Sequence, residues 1–217
     1  MSTFRDRLAR FAHVVMHLHY SVTMQGREVF YQNRPVLLLP NHTAYIDPIL
    51  LCSEIYDVPL FPMADERFMR HRLFRHIMSR IDAVEVPDFN RSSMSRAEGA
   101  AQAAQLSTIA LDALRAGRSL IFYPSGHIKT VDREIIGNRR LAYEVCRDLP
   151  DDTVVVLCRM RGLESSIWSK LRPKQFKWRR SVHFYCEDRT ADLREWARTL
   201  DRRGFNERLE EWYNLSE

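Results

Sequence analysis

The sequence has no long hydrophobic run. Apolar stretches such as residues 36–40 are only a few residues long, whereas a helix needs about 20 apolar residues to cross a bilayer. We therefore expect no membrane-spanning helix. Arg5, Arg7 and Arg10 interrupt the stretch that would have to be apolar in a signal peptide, so we expect no cleaved leader.

Glycine and cysteine are also scarce. Seven glycines and nine prolines among 217 residues exclude a collagen-like or linker-like chain. The four cysteines form no C-x-x-C pair and have no zinc-like spacing. This usage favours reduced, packed thiols in a cytosolic protein.

The charge balance is basic. The chain has 33 Lys+Arg against 28 Asp+Glu, a formal net charge of +5 and a pI of about 9.2. Such a balance indicates an acidic partner: nucleic acid, anionic lipid or an acidic carrier protein. With 28% charged and 45% hydrophobic residues, the composition is typical of a folded domain and excludes general disorder.

Strand-like and helix-like segments alternate along the chain. We predict strands at residues 28–31, 35–39, 59–64, 83–86, 119–123, 153–160 and 181–186, and helices at 3–24, 47–55, 66–80, 95–116, 138–147, 192–200 and 206–213. Alternation of this kind predicts an α/β fold, with a central mixed, mostly parallel sheet covered by helices. We expect one domain over 1–217: an amphipathic N-terminal helix in 1–25, an α/β core in 26–190 and C-terminal helices in 191–217.

The N-terminal segment carries apolar residues at steps of three and four, which places them on one face of a helix. This stripe consists of Phe4, Leu8, Phe11, Val15, Leu18 and Val22. The stripe can pack on the core or lie in a membrane interface. His13 and His17 are one turn apart, as metal ligands can be, but no third ligand is near in sequence. We interpret both as flanks of the helix and expect no metal site.

The first candidate site is the loop of residues 41–47, called here the first loop, which reads Asn-His-Thr-Ala-Tyr-Ile-Asp. The loop follows an apolar strand, and ligand sites in open α/β sheets gather beyond the carboxyl ends of strands. His42 can serve as a general base that Asp47 orients. On a continuous helix the two side chains would lie about 140° apart, so the dyad requires an irregular turn. Alternatively, Asp47 only caps the helix that Pro48 begins, and His42 is an ordinary loop residue.

The second candidate site, called the second loop, spans residues 122–129 and also follows a predicted strand. Gly126 allows a ligand to approach the backbone, and its N–H could stabilise an oxyanion. Ser125 lacks the flanking glycines of a nucleophile elbow. An ordinary turn is the alternative interpretation.

Together, the N-H-x-x-x-x-D motif and the Tyr-Pro-Ser-Gly loop about 80 residues later resemble the glycerolipid acyltransferase superfamily, over roughly residues 25–165. The resemblance implies transfer of an acyl group from acyl-CoA or acyl carrier protein to a lysolipid. His42 would be the base and Asp47 its orienting partner, with no acyl-enzyme, cofactor or metal. The substrate-binding residues implied in this way are Asn41, Ser125, Gly126, His127, Lys129, Arg67 and Arg91.

The sequence departs from the family pattern where a phosphate-holding cation would be expected. The family's third block usually reads Phe-Pro-Glu-Gly-Thr-Arg, whereas this chain has Ser125 for the Glu, His127 for the Thr and Ile128 for the Arg. Lys129 is the nearest cation in that block. In the earlier blocks, Asp65 replaces a Lys, with Arg67 as a substitute, and Arg91 comes late. These departures argue against lysophosphatidic acid and favour a lysophospholipid with a head group, or another lipid-linked hydroxyl or amine.

A third feature is the segment 159–180, called the basic segment. It contains eight basic residues and one acid, Glu164, with aromatic residues between them. This pattern suits an anionic membrane surface, suits nucleic acid, or describes a solvated basic loop. We predict a peripheral acyltransferase on the cytoplasmic face of the cell membrane. The alternatives are a non-catalytic lipid- or carrier-binding relative and a basic nucleic-acid-binding module.

Overall fold

A computed structural model of the chain describes residues 4–65, 84–86 and 96–215. A seven-stranded sheet forms its centre, in the order β1-β7-β6-β2-β5-β3-β4. The strands are β1 (Tyr20–Gln25), β2 (Val36–Pro40), β3 (Leu60–Asp65), β4 (Val84–Val86), β5 (Ser119–Ile121), β6 (Val154–Arg161) and β7 (Arg180–Asp188). Only the β6–β7 pair is antiparallel among these strands. The predicted α/β fold with a mixed, mostly parallel sheet is therefore confirmed.

Helices cover both faces of this sheet. They are α1 (Phe4–His19), α2 (Asp47–Glu54), α3 (Arg96–Arg115), α4 (Leu141–Arg147), α5 (Thr190–Thr199) and α6 (Arg202–Asn214), with a 3-10 helix at Arg27–Phe30. None of the helices in the described ranges is both long and apolar enough to span a bilayer. The predicted helix at 66–80 lies outside the described residues.

The central strands β2 and β6 are apolar along their length because both of their faces are covered. Their side chains alternate between two cores. Val36 and Leu38 face the core under α2, whereas Leu37 and Leu39 face the core formed with α3 to α6. Cys146, Cys158 and Cys186 are buried in these cores, as the prediction of packed thiols requires, and Cys52 is partly buried.

The N-terminal segment differs from its prediction. The helix ends at His19, and Tyr20–Gln25 forms the edge strand β1, parallel to β7. Val22 and Met24 pack against the core while the residues between them face outward. Val22 was assigned to the helix because it lies four residues after Leu18, a step that fits a helix as well as a strand. The predicted strand at 28–31 is also wrong, since Arg27–Phe30 forms the 3-10 helix.

Gly26 makes the turn between β1 and the 3-10 helix possible. Its φ is +76°, and a Cβ at this position would lie 1.9 Å from the carbonyl oxygen of Cys186. Only glycine satisfies both the left-handed backbone and the close approach of β7.

We expect Gly26→Ala to lower the free energy of unfolding by more than Gly117→Ala does. Gly117 has nearly the same φ, +77°, but a Cβ there meets nothing within 4 Å. The control therefore reports only the left-handed conformation, at about 1–2 kcal/mol. Urea unfolding of both variants measures the difference, and equal losses would show that the Cys186 carbonyl moves aside at no cost.

Candidate active site

The two loops predicted as candidate sites lie side by side at one edge of the sheet. β2 pairs with β5, and the parallel direction brings the carboxyl ends of both strands together. The His42 ring stacks on the Tyr123 ring, with centroids 4.1 Å apart and planes 24° from parallel. The Lys129 N–H donates to the His42 carbonyl at 2.9 Å. The first and second loops thus form one site.

His42 and Asp47 form the predicted dyad. Nδ1 of His42 is 3.1 Å from Oδ2 of Asp47, within hydrogen-bonding distance. Residues 42–46 are not helical, and this irregular turn brings together side chains that a continuous helix would separate. Ile46 is the N-cap of α2 and Asp47 is its first residue, and the Asp47 carboxylate accepts from the N–H groups of Thr43 and Ala44, which precede the helix. The interpretation of Asp47 as a helix cap is therefore wrong.

The Asp47 carboxylate organises the whole first loop. It is fully buried and accepts hydrogen bonds from the Thr43 N–H at 2.6 Å, the Ala44 N–H at 2.9 Å and the Thr43 hydroxyl at 3.1 Å. These donors compensate for the loss of water around a buried charge. The chain is thereby held in the curl that the dyad requires.

The dyad leaves one nitrogen of His42 available. A carboxylate only accepts hydrogen bonds, so the Nδ1 proton points to Asp47 and Nε2 carries the lone pair. Nε2 makes no hydrogen bond with any described residue, and the His42 side chain is 16% exposed. The imidazole is therefore oriented to take a proton from a ligand at Nε2.

Asn41 is engaged in the sheet. Its side-chain amide donates to the Met160 carbonyl at 3.1 Å, and its oxygen accepts from the Met160 N–H at 2.7 Å. The side chain thus continues the β2–β6 ladder beyond the last paired strand residues. This arrangement favours a role in holding the first loop over the predicted contact with substrate.

The second loop is closed by its own hydrogen bonds. The Gly126 N–H, predicted as a donor to an oxyanion, instead donates to the Tyr123 carbonyl at 3.0 Å. The Ser125 hydroxyl donates to the His127 carbonyl at 3.0 Å, and Nδ1 of His127 lies 2.7 Å from the Ser125 carbonyl. An oxyanion donor at Gly126 would require this turn to open.

Lys129 lies in the site, but it is paired. The side chain is buried, and its Nζ is 3.4 Å from Oε1 of Glu164. The carboxylate of Glu164 also accepts from the Gly162 N–H at 2.7 Å. The other two predicted cations, Arg67 and Arg91, lie outside the described residues.

Glu134 is a site residue that the sequence did not predict. It is 2% exposed, and its Oε2 lies 3.4 Å from the backbone nitrogen of His42. Burial raises the pKa of this carboxyl, against weaker opposing effects of the adjacent Ser125 hydroxyl and the His42 amide. Ninety-two residues separate Glu134 from His42. The only sequence signal is an acid followed by two isoleucines outside any predicted element.

The two N-terminal histidines help to dock α1 on α2. Nε2 of His17 is 2.7 Å from Oε1 of Glu54, and Nδ1 of His13 is 3.0 Å from the Ser53 carbonyl. Glu54 is thus the third potential ligand that was not apparent in the sequence, and the three ligand atoms lie within 4.8 Å of one another. Both rings therefore have hydrogen-bond partners on α2.

Comparison with known proteins places these features in context. A family model described as Acyltransferase matches residues 21–161, which include both loops. Among solved structures, the fold is similar to that of the 1-acyl-sn-glycerophosphate (LPA) acyltransferase of Thermotoga maritima, with a TM-score of 0.57 at 15% sequence identity. The match covers 98% of this chain and 80% of that one. At this identity the likeness shows a shared fold.

Proposed function

The chain belongs to the acyltransferase family, and from that premise we propose that it moves a fatty acyl group from a thioester, acyl-CoA or acyl carrier protein, to a lysolipid or related lipid-like acceptor. One observation carries the proposal. The His42–Asp47 pair has the geometry of an oriented base, with Nε2 free of partners among the described residues. The base lies at the end of the sheet where ligands of α/β folds bind.

The reaction is a direct transfer in this proposal. Nε2 of His42 takes the proton of the acceptor hydroxyl as its oxygen attacks the thioester carbonyl. The new C–O bond forms, the C–S bond breaks, and the thiolate leaves with the proton that His42 gives back. Asp47 stabilises the imidazolium in between, since the buried carboxylate faces Nδ1.

An exposed apolar surface supports binding to a membrane. Phe11 and Leu18 of α1 are 67% and 62% exposed, so these side chains face solvent and do not pack in the core. Trp178 and Phe176 of the basic segment are also largely exposed, and the Trp178 ring contacts His19 at the end of α1. Large apolar side chains on a basic surface suit the interface of an anionic membrane.

The same surface adjoins the candidate site. The basic segment pairs with the first loop through a bridge between Ala44 and Ser169 and a hydrogen bond from the Tyr45 N–H to the Trp168 carbonyl. We propose that the enzyme works at the inner face of the cell membrane, where acyl chains reach His42 from the bilayer. Anionic lipids of that leaflet attract the lysines and arginines.

The two alternatives predict different behaviour. A non-catalytic lipid- or carrier-binding relative would bind lipid without turnover, but it gives no reason for an oriented His42 whose Nε2 has no partner among the described residues. A nucleic-acid-binding module rests on charge alone, and would bind heparin in a salt-dependent manner without thioester turnover.

We expect His42→Ala to lose acyl transfer while the fold remains intact. Loss of a general base costs about 10²- to 10⁴-fold in rate. The Asp47 carboxylate holds the backbone of the first loop through the Thr43 and Ala44 N–H groups, so the loop does not depend on the imidazole. Release of free thiol from labelled acyl-CoA or acyl carrier protein, with a bacterial lipid extract as acceptor, measures turnover. His183→Ala is the matched control, because His183 is a β7 histidine that bonds only to Thr23 among the described side chains. Full activity in His42→Ala would remove the dyad from the mechanism.

We expect liposome binding to be stronger with anionic than with neutral lipid and to fall with salt, because exposed charges are screened over about 8 Å at physiological ionic strength. The double variant Lys177→Gln, Arg179→Gln should weaken binding to anionic vesicles. Arg203→Gln, Arg208→Gln removes the same charge from α6, on the opposite side of the sheet from α1, and should bind like the wild type. Equal binding to neutral and anionic vesicles would remove the electrostatic part of the proposal.

The environment of His42 also bears on the acceptor. A lysophosphatidic acid phosphate carries up to two negative charges and needs several cations or donors when it is buried. Lys129 is already paired with Glu164, and the buried carboxyl of Glu134 lies beside the first loop. A phosphate diester, or an acceptor without phosphate, meets less repulsion there.

We therefore expect lower turnover with lysophosphatidic acid than with lysophosphatidylethanolamine at equal donor concentration. Initial rates measured side by side in mixed micelles decide the comparison. If lysophosphatidic acid is faster by tenfold, which is about 1.4 kcal/mol in barrier, the assignment of the acceptor is wrong, and Lys129 must leave Glu164 to hold the phosphate.

A further inference from the structure

Glu134 carries a polar atom that the protein leaves unpaired. Its Oε1 is buried and has no hydrogen-bond partner among the described residues. The nearby Ser125 hydroxyl donates elsewhere, to the His127 carbonyl. An unpaired buried oxygen costs about 1–3 kcal/mol of stability, so a carboxyl kept in this state beside His42 indicates that a donor from a ligand completes it.

The position of Glu134 does not depend on its carboxyl group. Asn214 of α6 accepts from the Glu134 N–H at 2.8 Å and donates to the Glu134 carbonyl at 3.0 Å. Two residues later, the Glu210 carboxylate accepts from the N–H groups of Ile136 and Gly137 at 2.7 and 2.8 Å. The backbone is thus fixed by α6, while the carboxyl group reaches the His42 N–H through Oε2 and leaves Oε1 without a partner among the described residues.

Arg139 lies beside Gly126 of the second loop. Its Nε is 4.0 Å from the position that a Cβ on Gly126 would occupy. The guanidinium makes no hydrogen bond or ion pair with a described side chain, whereas its backbone is held by Ile136 and Asn206. A positive group therefore flanks Gly126, and a carboxyl group flanks the neighbouring Ser125.

We propose that Glu134 and Arg139 form a subsite for a zwitterionic lysophospholipid head group, in which Glu134 accepts from the ammonium group and Arg139 holds the phosphate diester. This inference rests on the proposed function, since it names the acceptor of that reaction. One cation matches the single charge of a diester. With Ser125 in place of the family's glutamate, position 125 adds no second carboxylate beside that phosphate.

Equilibrium binding of three short-chain lysolipids, measured without acyl donor, tests the subsite. Lysophosphatidylethanolamine has both the diester and the ammonium, lysophosphatidylglycerol has only the diester, and lysophosphatidic acid is a monoester. The wild type should bind lysophosphatidylethanolamine most tightly. Glu134→Gln should abolish about tenfold of its preference over lysophosphatidylglycerol, and Arg139→Gln should weaken both diesters to a similar extent.

Glu210→Gln is the matched control, because Glu210 holds the same backbone segment but is not part of the proposed subsite. The control should keep the ethanolamine preference, and thermal unfolding should show that all three variants are folded. An unchanged preference in Glu134→Gln, or the same loss in Glu210→Gln, would overturn the subsite.

The two proposals fail in different ways. His42→Ala should retain the ethanolamine preference, because binding does not need the base. Turnover without any dependence of selectivity on Glu134 would leave acyl transfer in place and remove the subsite. A preference that depends on Glu134, in a wild type without turnover, would support the subsite and remove the proposed reaction.

Discussion

The buried carboxylate of Asp47 is the interaction on which the candidate site depends. It receives two backbone N–H groups, the Thr43 hydroxyl and Nδ1 of His42. A loop of five residues has few ways to gather four donors around one acid, so the same contacts fix the backbone and orient the imidazole. Removing the acid would leave several polar groups unpaired in a closed space. One carboxylate therefore both stabilises the loop and orients the base.

The sheet supplies the second constraint. β2 is flanked by β5 and β6, all three parallel, so the loops after β2 and β5 leave the sheet at the same edge. Residues 81 positions apart in sequence meet in this way, as the His42–Tyr123 ring stack shows. Helices cover both faces of these strands, so a ligand reaches them at their carboxyl ends and not at a face. The chemistry of the site thus follows from strand order as much as from the motif itself.

The fold and the dyad could be predicted because their signals are local. Apolar strands, a proline after Asp47 and a fixed spacing from His42 all lie within short windows, and the need for an irregular turn follows from helix geometry. Glu134 could not be predicted, because its contact with His42 spans 92 residues. The contact also depends on the hydrogen bonds that Asn214 of α6 makes with the Glu134 backbone. The edge strand β1 was missed because Val22, four residues after Leu18, fits the helical period as well as the two-residue alternation of the strand. Asn41 was placed near substrate by resemblance, but its amide bonds to Met160.

The contacts of α6 have a consequence for how the protein is made. Tyr213 donates to the Leu39 carbonyl at 2.7 Å, 174 residues away, just before the first loop begins. Asn214 fixes Glu134 in the same region. The ribosome synthesises the first loop long before it synthesises Tyr213 and Asn214. Contacts between residues so far apart in sequence are slow to form during folding. The nascent chain therefore carries its dyad without the support behind it until the 174 residues from Leu39 to Tyr213 have been made, and the site becomes complete only when α6 has emerged and docked.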